Sequence, residues 1–251
     1  MDRWRNKAAI VTGASSGIGA AIALDLVKAG MIVAAMARRE DRLEELREKL
    51  SQDLQSKFHS VKCDVSDEEE VKEKFKWVDE TFGGIHVLIN NAGILRATKL
   101  IHDGNTNDIR DTIETNIMGV FYGTREAYRS MKSRNIAGHI VNVNSVAGHF
   151  IPHIPGHFAN MYPPSKHAAT AMTETYRQEF SSEGTDIKIT SISPGAVKTD
   201  IFPEEVKNLM KDGDCVVLNP EDVSNAIVFC ISTPPHVQIH ELMIKPLHEQ
   251  F

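Results

Sequence analysis

The sequence predicts an α/β fold in which a doubly wound parallel sheet carries helices on both faces. Short apolar, β-branched runs alternate with longer amphipathic stretches through the first two-thirds of the chain, which is the pattern of right-handed βαβ units. The short runs are near-continuous apolar stretches or mixed runs of strand length, as expected of strands covered on both faces. A glycine-rich turn with Gly13, Gly17 and Gly19 joins the first run to the first amphipathic stretch.

Six runs have strand length: Ala8 to Val11, Ile32 to Met36, Phe58 to Cys63, Val87 to Asn90, Ile140 to Val143 and Ile187 to Ile192. Ser66-Asp67-Glu68-Glu69 reads as a capping box. It opens a helix with Val71, Phe75, Val78 and Phe82 at helical spacing and Gly83-Gly84 as its stop. The Glu68-Glu69-Glu70 run suits a solvated helix start and the positive end of the helix dipole. Further helices are predicted from Asn107 to Arg134 and from Pro164 to Ser182, the latter with Ala169, Met172, Thr173, Tyr176 and Phe180 inward. No repeat, low-complexity tract or linker divides the chain, so residues 1–251 are read as a single domain.

At 251 residues and 41% hydrophobic content the chain can bury a large core without disulfides or a structural metal. With 28 basic and 34 acidic residues the net charge is -6, which gives nucleic-acid binding no electrostatic support. Cys63, Cys215 and Cys230 are odd in number and widely spaced. They argue against a disulfide framework or zinc ribbon and for a reducing, cytoplasmic location. Met1 to Lys7 lacks the apolar core of a leader peptide, and no run of about 18 apolar residues could span a membrane.

The turn after the first strand reads Thr12-Gly13-Ala14-Ser15-Ser16-Gly17-Ile18-Gly19, followed by an apolar helix with Ala21, Ile22 and Leu26. Such a turn lets backbone N–H groups and the positive end of a helix approach a pyrophosphate, which a Cβ at the glycine positions would obstruct. Packing alone is the alternative. The second strand ends Met36-Ala37-Arg38-Arg39-Glu40. A Rossmann-type site selective for NAD places an acidic side chain there for the ribose 2'-hydroxyl; two guanidinium groups suit a 2'-phosphate instead. The expected cofactor is therefore NADP(H), against the alternative that Arg38 and Arg39 merely start a solvated helix and pair with Glu40, Glu44 or Glu45.

Tyr162 and Lys166 are four residues apart, so on a helix they share a face, and the ammonium favours the tyrosinate form. A tyrosine with a pKa of about 10 is otherwise a poor acid-base group at neutral pH. Ser145, at the end of the run Ile140 to Asn144, is placed to hold a substrate oxygen. Each of the three residues taken singly also has an ordinary structural reading.

Taken in order, these motifs resemble the short-chain dehydrogenase/reductases, in their single-domain branch. The resemblance spans the whole chain and rests on the glycine turn, Asp64 after the third strand, Asn90-Asn91-Ala92-Gly93 after the fourth, Asn116, Ser145, Tyr162 with Lys166, and Pro194-Gly195 with Thr199. It implies that Tyr162 is the general acid-base and that Lys166 lowers its pKa and holds the nicotinamide ribose. It further implies that Ser145 orients the carbonyl and that Asn116 holds a proton-relay water. Asp64 and Val65 would flank the adenine, Asn91, Ala92 and Gly93 would pack along the cofactor, and Thr199 would bind the carboxamide. Pro194, Gly195 and Val197 join the implied cofactor-binding set, and the domain becomes one dinucleotide-binding and catalytic unit. Met1-Asp2-Arg3-Trp4, Asn144 to His149 and Gln238-Ile239 to Pro246 look like the farnesol dehydrogenase-like proteins of insects and their vertebrate relative, family member eleven, a group that handles ketosteroids and other carbonyls.

Tyr162 is followed by Pro163-Pro164, which disfavours the α conformation at residues 162 and 163 and argues for a helix that starts after Tyr162. Between Ser145 and Tyr162 lies a long segment with Phe150, Ile151, Ile154, Phe158 and Met161, expected to line an apolar substrate pocket opposite Ile201 and Phe202. His149, His153 and His157 recur every fourth residue, but Pro152, Pro155 and Gly156 break any helix there, so loop polarity is favoured over a metal site. Cys215 and Cys230 read as a loop thiol and a buried helix thiol.

The expected activity is NADP(H)-dependent interconversion of apolar alcohols with aldehydes or ketones: isoprenoid such as farnesol, steroid or xenobiotic. The alternative is a non-catalytic NADP-binding sensor or scaffold, which would have no chemical use for Tyr162. An isomerase or dehydratase is disfavoured by the short final third of the chain. Relatives of this kind form homodimers or homotetramers on long helices, and the Asn107 to Arg134 helix is long enough to contribute.

Overall fold

The computed structural model describes residues 1–153, 158–202 and 216–249. Seven parallel strands form one sheet: β1 (Ala8–Thr12), β2 (Ile32–Ala37), β3 (Phe58–Lys62), β4 (Val87–Asn90), β5 (His139–Val143), β6 (Lys188–Pro194) and β7 (Glu241–Ile244). Their spatial order is β3-β2-β1-β4-β5-β6-β7. The chain therefore winds outward from β1 in one direction and from β4 in the other. Where the order reverses, between β1 and β4, a crevice opens beyond the carboxyl ends of the strands. The register Thr12↔Met36, Asn90↔Asn142 and Val143↔Ile192 brings these ends to a common rim.

Alternation along each strand feeds two apolar layers. Ala9, Val11, Val33 and Ile89 pack with Ile22 and Leu26 of α1 (Gly17–Lys28), Leu43 of α2 (Glu40–Glu48), and Val223 and Ile227 of α8 (Pro220–Ser232). On the other face Ile10, Met36, Leu88 and Ile140 pack with Phe75 of α4 (Glu68–Phe82), Ala127 of α6 (Gly119–Ser133) and Phe180 of α7 (Tyr162–Ser182). Each fully buried Val, Leu, Ile, Phe or Met side chain among them contributes roughly 1.5–3 kcal/mol. A short α3 (Gln52–Gln55) precedes β3, and α5 (Thr106–Ile113) leads through a π-helical turn, Glu114–Met118, into α6.

Several local expectations change. The helix predicted as continuous from Asn107 to Arg134 is interrupted by that π-turn. The cap of α4 is Asp67 rather than Ser66: its carboxylate accepts from the backbone N–H groups of Glu69 at 2.9 Å and Glu70 at 3.0 Å. Ser66 is committed elsewhere, its hydroxyl donating to Asp64 at 2.7 Å. Helix α7 starts at Tyr162, not after it. Pro163 and Pro164 sit in the first turn, where a missing N–H loses no intrahelical bond. The turn closes around them through Tyr162 N–H to Ala159 O at 2.8 Å and Ser165 N–H to Met161 O at 2.9 Å. Strand β7 escaped prediction because it is a four-residue edge strand with two exposed positions, Glu241 and Met243.

Asp67→Ala is expected to lower stability in urea by about 1 kcal/mol. Ser66→Ala should cost less; the reverse ranking would return the cap to Ser66.

Candidate active site

A cleft of about 670 Å³ opens at the point where the strand order reverses. Its floor depends on a close approach between the glycine turn and the segment after β4. Gly13 (φ 65°) and Gly17 (φ 54°) are left-handed, a conformation that L side chains rarely adopt. A Cβ on Gly13 would stand 2.8 Å from the Cα of Ala92, and one on Gly19 would stand 2.4 Å from both Gly13 O and Asn91 Nδ2. Into the space so freed, the Asn91 amide donates to Thr12 O at 2.9 Å and Gly13 O at 3.2 Å. The Thr12 hydroxyl accepts from Asn91 N–H at 3.0 Å and Ala92 N–H at 3.1 Å. Thr12 and Gly19 thus lie behind the cleft surface, while Gly13, Ser15, Ser16, Gly17, Ile18, Asn91, Ala92 and Gly93 face it.

At one end of the cleft stand Arg38 and Arg39. Arg39 donates to the hydroxyls of Ser15 at 3.1 Å and Ser16 at 3.3 Å. Arg38 has its guanidinium 3.8 Å from Asp64, with a side chain 66% exposed, so it remains open to a ligand. Neither takes the carboxylates of α2, where Glu44 pairs with Arg47 instead. Asp64 is itself fixed by Ser66, and its backbone N–H donates to Glu70 at 2.6 Å. Val65 lies beside it and packs against Gly119, where a Cβ would come within 2.9 Å of the valine methyl.

At the other end, strand β5 delivers Ser145, which caps a 3-10 turn, Val146–Gly148, by accepting from Ala147 N–H at 3.1 Å. Ser145 and Tyr162 both line the cleft, and the serine hydroxyl is near enough to the phenol to favour its charged form. One turn along α7, the Lys166 ammonium donates to Val143 O at 2.9 Å and lies 5.5 Å from the centroid of the Tyr162 ring. Helical spacing alone predicts a tyrosine drawn below its usual pKa. Instead burial dominates: it pushes Tyr162 up to about 12, with the Ser145 hydroxyl pulling the other way, and pushes Lys166 down to about 8.

Asn116 belongs to the π-turn and is buried behind the cleft wall rather than open to it. Its amide exchanges two bonds with the backbone of Ile94, accepting from N–H and donating to C=O at 2.9 Å each, and donates to the Ser165 hydroxyl at 3.0 Å. A π-turn inside a helix commonly marks a functional position; here it aims Asn116 at both the Ile94 backbone and α7. Gly93 is in reach of Asn116 and Lys166, since a Cβ there would stand 3.5 Å from Asn116 Oδ1 and 3.9 Å from Lys166 Nζ.

Beyond β6, Pro194, Gly195, Val197 and Thr199 line the cleft. Thr199 reaches across to the glycine turn, with its methyl 3.0 Å from where a Gly17 Cβ would be. Of the segment expected to form the substrate wall, Pro152, Phe158 and Ala159 line the cleft, with Ile201 and Phe202 also in its lining. Phe150 and Ile151 do not; they are exposed outside it. Met161 is half-buried at the start of α7, and Ile154 and His157 lie outside the described residues, as does Cys215. His149 is drawn away to β7, its ring 2.6 Å from Glu241 and 3.2 Å from Ser193. Sequence reasoning missed Ile94, Arg96 and Glu249, which also line the cleft. The first two lie within three residues after Gly93 and could have been found by extending that motif; Glu249 carries no local signal.

Residues 7–210 match the short chain dehydrogenase family. The chain belongs to that family. It is 51% identical to the farnesol dehydrogenase of Aedes aegypti over 251 residues, the full length of both chains. It is 42% identical to dehydrogenase/reductase SDR family member 11 of Gallus gallus, covering 99% of each chain. Among solved structures it superposes on the closed form of serine dehydrogenase complexed with NADP+ with a TM-score of 0.83 and 29% identity, over 97% of this chain and 96% of that one.

Because burial holds Lys166 at about 8 in the folded state, against about 10.4 in an unfolded chain, its ammonium opposes folding. The cost is complete below pH 8 and fades as pH rises toward 10.4, since in that window the unfolded state binds more protons. Lys166→Met is therefore expected to gain about 1–3 kcal/mol over the natural chain at pH 7, after allowing for the lost bond to Val143 O, with the gain shrinking by pH 10. A difference independent of pH would show that Lys166 is not desolvated.

Proposed function

We propose that the protein is an NADP(H)-dependent oxidoreductase interconverting apolar alcohols, isoprenoid such as farnesol, steroid or xenobiotic, with their aldehydes or ketones. One observation carries the reading: the Ser145–Tyr162–Lys166 contact stands at one end of a cleft whose other end presents two guanidinium groups. The residues fit a dinucleotide. Gly13 and Gly19 let the turn close against Asn91 and Ala92 without a Cβ clash, and Arg38 and Arg39 suit a 2'-phosphate beside Asp64 and Val65. The family membership and the NADP+ complex of a structural relative support the cofactor class.

Bound NADP(H) would supply or accept the hydride at the substrate carbon. In reduction, the Ser145 hydroxyl holds the carbonyl oxygen and the Tyr162 phenol, protonated across the neutral range, donates the proton to it. That donation leaves a phenolate, which the Lys166 ammonium would stabilise while reaching the nicotinamide ribose, and in oxidation the phenolate takes the proton back from the alcohol. Asn116, its amide spent on Ile94 and Ser165, holds the wall beside Lys166; any relay water would have to share that amide. Asn91, Ala92, Gly93 and Val197 would pack along the cofactor, with Thr199 toward its carboxamide. Pro152, Phe158, Ile201 and Phe202 favour an apolar substrate. Residues 1–251 act as one dinucleotide-binding and catalytic domain in a homodimer or homotetramer, with the long α5–α6 region as the contact surface. Cys63 and Cys230, buried and unpaired, are consistent with a cytoplasmic location; no helix among the described residues is long and apolar enough to cross a membrane.

Tyr162→Phe keeps the ring and removes the proton donor, so NADPH should still bind while turnover of farnesal falls by a factor on the order of 100 or more. Near-normal turnover would remove Tyr162 from the chemistry, and a natural chain that binds NADPH without oxidising it on any carbonyl of a broad panel would favour the sensor or scaffold reading.

Replacing Arg38 and Arg39 together with glutamine should weaken NADPH by about tenfold or more and leave NADH nearly unchanged. Equal losses for the two cofactors would show that the pair supports α2 rather than a phosphate.

A further inference from the structure

Glu249 comes from the segment after β7, far in sequence from every motif of the site, yet its side chain is only 1% exposed and lies in the cleft wall. A buried carboxylate needs compensation, and this one has it on both oxygens. Oε1 accepts from Ala196 N–H at 2.7 Å, and Oε2 lies 3.0 Å from the Lys245 ammonium. The chain turns sharply to bring it there. His248 adopts φ 66°, an uncommon left-handed value for a residue other than glycine, and Glu249 N–H donates to Pro246 O at 3.2 Å.

The receiving surface is matched to the carboxylate. A Cβ on Gly195 would stand 2.5 Å from both Glu249 oxygens, so only glycine lets the carboxylate settle on that backbone. The loop it holds carries Val197 and Thr199. Among the described residues its anchors include backbone bonds, Gly195 N–H to Ile244 O at 2.8 Å, Leu218 N–H to Ala196 O at 2.9 Å and Lys198 N–H to Leu218 O at 2.8 Å, and an ion pair of Asp200 with Arg42 at 4.0 Å. Glu249 supplies a charge-assisted bond from a side chain, about twice the strength of a neutral one. It acts at the residue from which the loop leaves β6.

We propose that Glu249 is a positioning residue for cofactor binding: seated on Gly195 and bonded to Ala196, its carboxylate fixes the loop in the position from which Val197 and Thr199 contact bound NADP(H). This rests on the cofactor reading of the cleft given above.

The test uses the full chain and NADPH itself, with Kd from fluorescence titration, steady-state kinetics on farnesal and a melting curve for each variant. Glu249→Ala should weaken NADPH about tenfold, the loss of one charge-assisted hydrogen bond, with kcat at saturating NADPH within about twofold of the natural chain. Glu249→Gln keeps an oxygen for Ala196 N–H and should recover most of the affinity. Gly195→Ala should weaken NADPH strongly in the natural chain and much less in the Glu249→Ala background, where the clash is gone. Should Glu249→Ala fail to fold, Glu249→Asp, shorter by one methylene but still charged, should show weakened NADPH with a near-normal melting temperature. The proposal is overturned if Glu249→Ala and Glu249→Asp bind NADPH like the natural chain, if only the melting temperature changes, or if the Gly195 and Glu249 effects simply add. A natural chain that does not bind NADPH would instead refute the cofactor reading, so the two failures are separable.

Discussion

The close approach of the β1 turn to the end of β4 is the constraint on which the rest of the site depends. Two strands adjacent in the sheet but far apart in sequence leave their carboxyl ends with unpaired backbone groups, and burying those groups unsatisfied would cost roughly 1–3 kcal/mol each. Here Thr12 and Asn91 satisfy them reciprocally, each side chain bonding the other strand's backbone. The exchange works only because Gly13 and Gly19 lack side chains. Once this seam is closed, the turn, the residues after Asn91 and the start of α1 are fixed relative to one another, and the crevice between them has a defined shape. Thr12 and Gly19, which do not line the cleft, matter because they set the position of residues that do.

The same logic extends to the Ser145 and Tyr162 end of the cleft. Asn116, Ser165 and Ile94 form a second seam, between the π-turn, α7 and the strand-end segment. It leaves Tyr162 and Lys166 in a poorly solvated wall. Desolvation then holds the phenol protonated and the ammonium easier to deprotonate than usual. Both shifts act in the same sense: each disfavours the charged form. A hydrogen-bonding substrate oxygen placed between Ser145 and Tyr162 would meet a neutral donor. The charge on Lys166 is retained at neutral pH by a narrow margin and gains most value when a phenolate forms beside it.

The sequence made the architecture and the polar constellation legible because both rest on local or ordered signals. Apolar or mixed runs of strand length mark six of the strands, and Tyr162 and Lys166 share a face of α7 as their spacing implies. It was less informative wherever a tertiary partner decided the outcome. Pro163 and Pro164 argue locally against α structure at residues 162 and 163, yet the bonds from Tyr162 to Ala159 and from Ser165 to Met161 close the first turn around them. Ser66 matches a capping motif, but Asp64 takes its hydroxyl and leaves the helix to Asp67. In sequence the segment after Ser145 reads as an apolar pocket wall. The pull of Glu241 on His149 instead turns that part of the chain toward β7, leaving Phe150 and Ile151 outside the cleft.

The two ends of the cleft are consequently built in different ways. Around the glycine turn, Asn91 and Asn116, nearly every lining residue is tied through its backbone, so changing a side chain there disturbs strand ends as well as the surface. Around Pro152, Phe158, Ile201 and Phe202, the lining is made of side chains on segments outside the sheet, and Phe158, 48% exposed, meets only the Lys99 ammonium, 4.5 Å above its ring, among the ring contacts of the described residues. Substituting Phe158 changes the shape and polarity of that end at small cost to the fold, since an exposed position typically contributes within about 0.5 kcal/mol. A fold of this kind can therefore hold its cofactor geometry constant while its substrate surface varies, because the bonds that fix the first share no residue with the side chains that form the second.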